Sequence, residues 1–192
     1  MSRAKQINNI VIHCSAGFGN VQSIQNFWKN TLKWKSKGYH FIIDTDGTIY
    51  YLFSNSEKNG YTTDESKLNL ELITNGVMSF NSSTIHITYI GGVENIGTAK
   101  KPIWKGKDTR TDVQKQSIEK CIQKAIKWLK DSGKDITKNL GIVGHRDFSP
   151  DKDKNGIIAS WERIKECPCF DPILEYMMYA SKDRYSKLPT TK

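Results

Sequence analysis

Among the four histidines and four cysteines of this sequence, His13, His145 and Cys167 are the candidate ligands for a transition metal. Each histidine follows a short apolar run: Ile10-Val11-Ile12 precedes His13, and Leu140-Gly141-Ile142-Val143-Gly144 precedes His145. Zinc takes neutral imidazole and thiolate ligands in tetrahedral geometry; a catalytic centre uses three and leaves the fourth position to water. The three residues lie far apart in sequence and include no short-range ligand pair. Spacing alone leaves two readings open: a zinc centre, or strand-end histidines with structural hydrogen bonds.

A second constellation lies between His145 and Cys167. The run Asp151-Lys152-Asp153-Lys154-Asn155-Gly156, followed by Glu162, fits the calcium-loop pattern D-x-[DN]-x-[DN]-G-x5-E. Oxygens of Asp151, Asp153 and Asn155, a glycine for the sharp turn and a late bidentate Glu162 match the oxygen shell of Ca2+. Pro150 argues against a regular incoming helix, so an acidic turn without an ion is the alternative. A bound Ca2+ would be structural and would brace the segment joining His145 to Cys167.

These residues need a frame. Residues 8–15 read as an internal strand with His13 at its carboxyl end, where α/β sheets place ligands. Apolar residues from Ser23-Ile24 through Phe27-Trp28 to Leu32 recur at helical spacing, which predicts a helix from Val21 into the low thirties. Two apolar runs, 38–44 and 48–53, flank Asp44-Thr45-Asp46-Gly47 and predict a hairpin. Residues 54–83 are polar and aperiodic, a long loop with a short helix near Lys67–Ile73 that is expected to border a substrate cleft. Thr84–Ile90 is a further strand, and 95–110 a loop. Thr111 and Gln114 form a capping box for a long helix ending at Gly133, with Ile118, Cys121, Ile122, Ala125, Trp128 and Leu129 on its apolar stripe. Residues 140–144 form a short buried strand and 172–182 a terminal helix. The expected architecture is one α/β domain over 1–192, with its core at about 8–180. A mixed sheet of about five or six strands is flanked by helices, and the tail 183–192 is frayed.

The bulk properties bound the function. Hydrophobic residues make up 37% and charged residues 26% of the 192 residues, which suits a soluble globular protein. No apolar run is long enough to span a bilayer, and the N-terminus carries no Sec-type signal. Synthesis in a cytoplasm is expected, with any work outside it requiring another export route or cell lysis. A net charge of +9 favours an anionic partner, or reflects a lysine-rich solvated surface. No nucleic-acid motif accompanies it, so a nucleic-acid or polymerase partner has charge alone in its favour. Four cysteines without an export signal favour free thiols over a disulfide framework.

Five segments in order carry a family resemblance: Ile10-Val11-Ile12-His13; Gly38-Tyr39-His40-Phe41-Ile42-Ile43 with Asp46-Gly47-Thr48; Tyr89-Ile90-Gly91-Gly92; Gly144-His145-Arg146-Asp147; and Lys165-Glu166-Cys167-Pro168 with Phe170-Asp171. Together they resemble the zinc-dependent N-acetylmuramoyl-L-alanine amidases of the phage-lysozyme and peptidoglycan-recognition-protein type, over residues 8–180. The resemblance implies a zinc cleft on one face of the sheet, with His13, His145 and Cys167 as ligands. It implies catalytic roles for Tyr39 and Lys165, and no ligand role for His40, His86 or Cys169. The implied substrate is peptidoglycan, cut between N-acetylmuramic acid and the L-alanine of its stem peptide by a monomeric enzyme, as in a phage endolysin. The alternatives are a non-hydrolysing peptidoglycan-binding module and an antibacterial effector of the same fold.

Overall fold

The structure is a computed structural model that describes residues 2–184. In chain order its strands are β1 (Asn9–Cys14), β2 (Phe41–Ile43), β3 (Ile49–Leu52), β4 (Tyr61–Thr62), β5 (Thr84–Tyr89), β6 (Val93–Asn95), β7 (Trp104–Gly106) and β8 (Gly141–Gly144). Its α-helices are α1 (Val21–Asn26), α2 (Asp112–Asp131) and α3 (Pro172–Tyr176). Six strands form one sheet in the order β4-β3-β2-β5-β1-β8. The pairs β1–β5, β1–β8 and β2–β5 are parallel, and β3 and β4 add antiparallel at one edge. This is the expected single α/β domain with a mixed sheet.

Both β1 and β5 are buried along their whole length. Strand side chains alternate between faces, and this sheet uses its two faces differently. Ile10, Ile12, Ile85, Ile87, Phe41, Ile43 and Ile142 share one apolar core with Ile118, Cys121, Ile122, Ala125 and Leu129 of α2. Val11, with Val143 and Val77, belongs to a separate cluster, and His13, two residues on from Val11, shares its face. Apolar burial therefore fixes α2 on one face and leaves the other for the loops that build the site.

The capping box of Thr111 and Gln114 starts α2 as expected. The helix also clasps the hairpin: Ser117 Oγ donates to the Gly47 carbonyl at 2.7 Å and Thr111 Oγ1 to that of Thr45 at 3.0 Å. Gly47 has φ +85°, and a Cβ there would lie 3.0 Å from the Val113 side chain. The turn requires its glycine on both counts.

Elsewhere the backbone departs from the periodic reading. The first helix keeps α geometry only to Asn26 and continues as a π-turn over Phe27–Thr31. Trp28 is buried against Gly38, whereas Phe27 and Leu32 remain exposed. The expected helix at 67–73 is one 3-10 turn over Glu65–Lys67, because the Asn69 amide is drawn onto the Leu52 carbonyl at 2.8 Å. The loop at 95–110 contains the β6–β7 hairpin, whose turn Asn95 Oδ1 closes by accepting from the Gly97 and Ile103 amides. The terminal helix stops at Tyr176 and passes into 3-10 turns, because the Ser181 amide donates to the Leu140 carbonyl at 2.9 Å. Of the expected frayed tail, Asp183 and Arg184 sit in a 3-10 turn whose Arg184 guanidinium donates to Asn9 Oδ1; residues 185–192 lie outside the described residues.

One ionic node secures the carboxyl-terminal third. The Arg110 guanidinium, 2% exposed, pairs in two-pronged fashion with both Asp108 and Glu175 and stacks 3.2 Å above the Phe170 ring. Arg110→Ala is expected to cost about 2–3 kcal/mol, below the figure for a fully buried pair because both carboxylates reach solvent. A lowered urea midpoint with unchanged m-value would show it; an unchanged midpoint would refute it.

Candidate metal centre

Parallel pairing of β1 and β8 sets Ile12 beside Gly144, so His13 and His145 emerge together from the carboxyl ends of neighbouring strands. Their rings meet edge to face with centroids 4.9 Å apart. His145 opens a 3-10 turn over His145–Phe148, which Asp147 caps by accepting the Gly144 amide at 2.6 Å. The Arg146 amide, from the same turn, donates to the Cys167 carbonyl at 2.8 Å. The Cys14 amide donates to Cys167 Sγ at 3.2 Å. Gly144 admits this approach, since a Cβ there would lie 2.5 Å from Pro168 Cδ. The result places Cys167 Sγ 3.9 Å from His13 Nδ1. One ligand atom from each of His13, His145 and Cys167 lies within 4.8 Å of the other two.

The imidazoles are held in the form that binds metal. His13 is fully buried. Burial first, then His86, His145 and Lys165, keeps its pKa well below the ordinary histidine value. Burial and then Lys165 push His145 down to about 4. Both rings are therefore neutral at neutral pH, with lone pairs available. Two imidazole nitrogens and one sulfur fit zinc, and do not fit the all-oxygen shells of magnesium or calcium.

Tyr39 packs on the inner side of this group, its ring centroid 4.9 Å from that of His13 and edge-on to Trp28. Burial, then the neighbouring Cys167 and Cys14, raises its pKa well above the usual phenol range. The hydroxyl is thus kept as a hydrogen-bond donor. Lys165 is exposed and lines the same cleft as Tyr39, His145 and Cys167. That cleft encloses about 950 Å³. Phe27, Leu32 and Phe80 give it apolar walls, and residues 75–81 of the long loop border it, which accounts for part of that loop.

Cys169 turns elsewhere, its sulfur 3.1 Å from the Gly92 carbonyl and 3.9 Å from Cys14 Sγ. His86 has a closer tie to the centre than sequence reasoning gave it: its Nδ1 is 3.0 Å from His13 Nε2. The sequence signal was a histidine inside a strand of β-branched residues. Its register against β1, Val11 beside His86, becomes visible only in the fold.

The acidic loop brings carboxylate oxygens of Asp151, Asp153 and Glu162 within 4.8 Å of one another. Those oxygens are already engaged with backbone amides: Glu162 accepts from Lys152 and Ala159, and Asp151 from Asn155 and Gly156. Asn155 Oδ1 accepts from Ile157. The loop closes on itself through these bonds, so the calcium expectation rests on convergence of charge alone.

A Haemophilus influenzae protein of uncharacterised role is 34% identical over 95 residues, covering 50% of this chain and 69% of that protein. The endolysin of Enterobacteria phage K11 is 25% identical over 100 residues, covering 50% of this chain and 56% of that protein. Among solved structures, an N-acetylmuramoyl-L-alanine amidase from Clostridium intestinale URNW shares the fold at a TM-score of 0.50 and 20% identity, over 92% of this chain and 85% of that one. The family model for N-acetylmuramoyl-L-alanine amidases matches residues 3–168, and the chain belongs to that family.

Proposed function

We propose that this protein is a zinc-dependent peptidoglycan amidase that hydrolyses the bond between the lactyl group of N-acetylmuramic acid and L-alanine of the stem peptide. The observation that carries this reading is the convergence of His13, His145 and Cys167 beside an open cleft with Tyr39 and Lys165 on its wall. His13, His145 and Cys167 would hold the zinc, which supplies a water of lowered pKa and a Lewis acid for the scissile carbonyl. Lys165 brings a fixed positive charge to the cleft, where it stabilises the oxyanion of the tetrahedral intermediate. Tyr39, kept protonated, donates a hydrogen bond to that oxygen or orients the attacking water. Two neutral imidazoles and one thiolate give the ligand set a single negative charge, which leaves the centre net cationic. An action in phage lysis is supported by the likeness to the phage K11 endolysin.

The test is chemical. Purified protein is expected to carry one zinc per chain and to release new L-alanine amino termini from muropeptides. Zinc-replete protein that binds muropeptides but frees no amino termini would instead make it a binding module.

A further inference from the structure

We propose that His86 is a positioning residue that fixes the tautomer and orientation of the zinc ligand His13. This inference rests on the zinc reading of His13 and extends it to a residue that makes no contact with the substrate cleft.

The direction of the hydrogen bonds can be read from one end. The Phe80 carbonyl can only accept, and Thr84 Oγ1 lies 2.8 Å from it. The Thr84 hydroxyl proton is thereby committed, and a second acceptor at that distance would be repulsive without it. His86 Nε2, 2.8 Å from Thr84 Oγ1, must then carry a proton and donate. His86 is fully buried between His40 and His13, with Arg3 beyond His40, and no carboxylate among the described residues is seen to contact its ring. A neutral ring with a proton on Nε2 has a bare Nδ1. That atom accepts from His13 Nε2 at 3.0 Å. His13 in turn holds its proton on Nε2 and presents a bare Nδ1, the atom 3.9 Å from Cys167 Sγ. A main-chain carbonyl four residues before β5 is thus connected, through Thr84 and His86, to the lone pair that binds metal.

The His86 ring is held in place independently of His13. The His40 ring stacks on it at 5.9 Å with 20° between planes. The His86 amide donates to His40 Nδ1 at 2.9 Å. His40 Nε2 then donates to the Leu72 carbonyl at 2.9 Å, which fixes that ring as well. On the other side Gly76 leaves just enough room: a Cβ there would lie 2.4 Å from His86 Nδ1. A histidine that merely filled space would require neither an acceptor atom aimed at His13 nor this clearance. Partners that orient a metal-bound imidazole generally contribute 10–100-fold to metal affinity.

The test uses full-length protein and two metals. Zinc affinity is measured by chelator competition, and the ligand field by the visible spectrum of the cobalt(II) form. His86→Leu is expected to weaken zinc binding roughly 10–100-fold and to shift the cobalt d–d bands. His86→Asn, whose Oδ1 can stand where Nδ1 stood, is expected to recover most of the affinity and the wild-type spectrum. Equal zinc affinity and identical cobalt spectra in wild type and His86→Leu would overturn the proposal. Side-chain 15N shifts of the zinc-free wild type are expected to show His13 and His86 both protonated on Nε2, a readout that no variant's folding can spoil. A proton on Nδ1 of either ring would overturn the proposal. Failure of the wild type itself to bind one zinc would count against the amidase reading, and is distinct from these outcomes.

Discussion

Replacing Cys167 with serine is expected to remove zinc and to lower muropeptide hydrolysis by at least about 10³-fold, while the sheet stays folded. On the proposed zinc reading the sulfur would be the soft ligand of the set, and a serine hydroxyl is a poor zinc ligand at neutral pH. The rate figure follows from the several kcal/mol that a Lewis acid contributes to an acyl-transfer barrier. The fold should survive because Cys167 is held through its main chain: its carbonyl accepts the Arg146 amide, and Tyr89 Oη donates to the next carbonyl, that of Pro168, at 2.7 Å. The Cys14 amide, which now donates to the sulfur, can donate to a serine oxygen. Cys169→Ser is the matched control. Its sulfur lies beside the Gly92 carbonyl, so zinc content and turnover are expected to stay near wild type. Zinc retained at one per chain in Cys167→Ser, with turnover within tenfold of wild type, would end the ligand assignment.

The two variants also separate what the sequence makes legible from what it does not. His13 and His145 could be read as candidates because each ends an apolar run, and parallel strands deliver their carboxyl ends to one edge. Cys167 carries no such signal by itself; only the five ordered segments of the family place it there. The capping box at Thr111 and the Asp-Gly hairpin were equally legible, since both are local chemistry within a few residues. The π-turn at Phe27–Thr31 was not, because helical periodicity does not distinguish a wider turn from a regular one. The β6–β7 hairpin depends on Asn95 bonding to Ile103, a contact across the turn that strand alternation does not announce. His86 shows the limit most clearly. Its role arises from the pairing of β1 with β5 and from the clearance over Gly76, and both are long-range facts.

That same histidine cluster makes zinc-free protein acid-labile, the second large effect expected. All four histidines of the chain, His13, His40, His86 and His145, have pKa values depressed by burial before any other cause. His40 is pushed down to about 3 and His145 to about 4. The geometry gives the same sign. A proton on His40 Nδ1 would face the His86 amide that now donates to it, and a proton on His86 Nδ1 would face His13 Nε2–H. The unfolded chain, with histidines near about 6.5, binds protons that the folded chain refuses, so stability falls as pH drops below that value. Each group contributes about 1.4 kcal/mol between about pH 7.5 and pH 5.5, or about 5–6 kcal/mol for the four together. The buried carboxyl of Asp147, whose pKa is raised, offsets a small part of this. Such a loss is comparable to the whole stability of many domains. Urea midpoints of zinc-free protein are therefore expected to fall steeply over this range, with a slope approaching four protons, whereas a slope of one proton or less would show that the cluster is not held neutral. Zinc, by binding the folded chain alone, should raise the midpoints throughout without lessening the slope, because the folded His13 and His145 are already unprotonated before the metal binds.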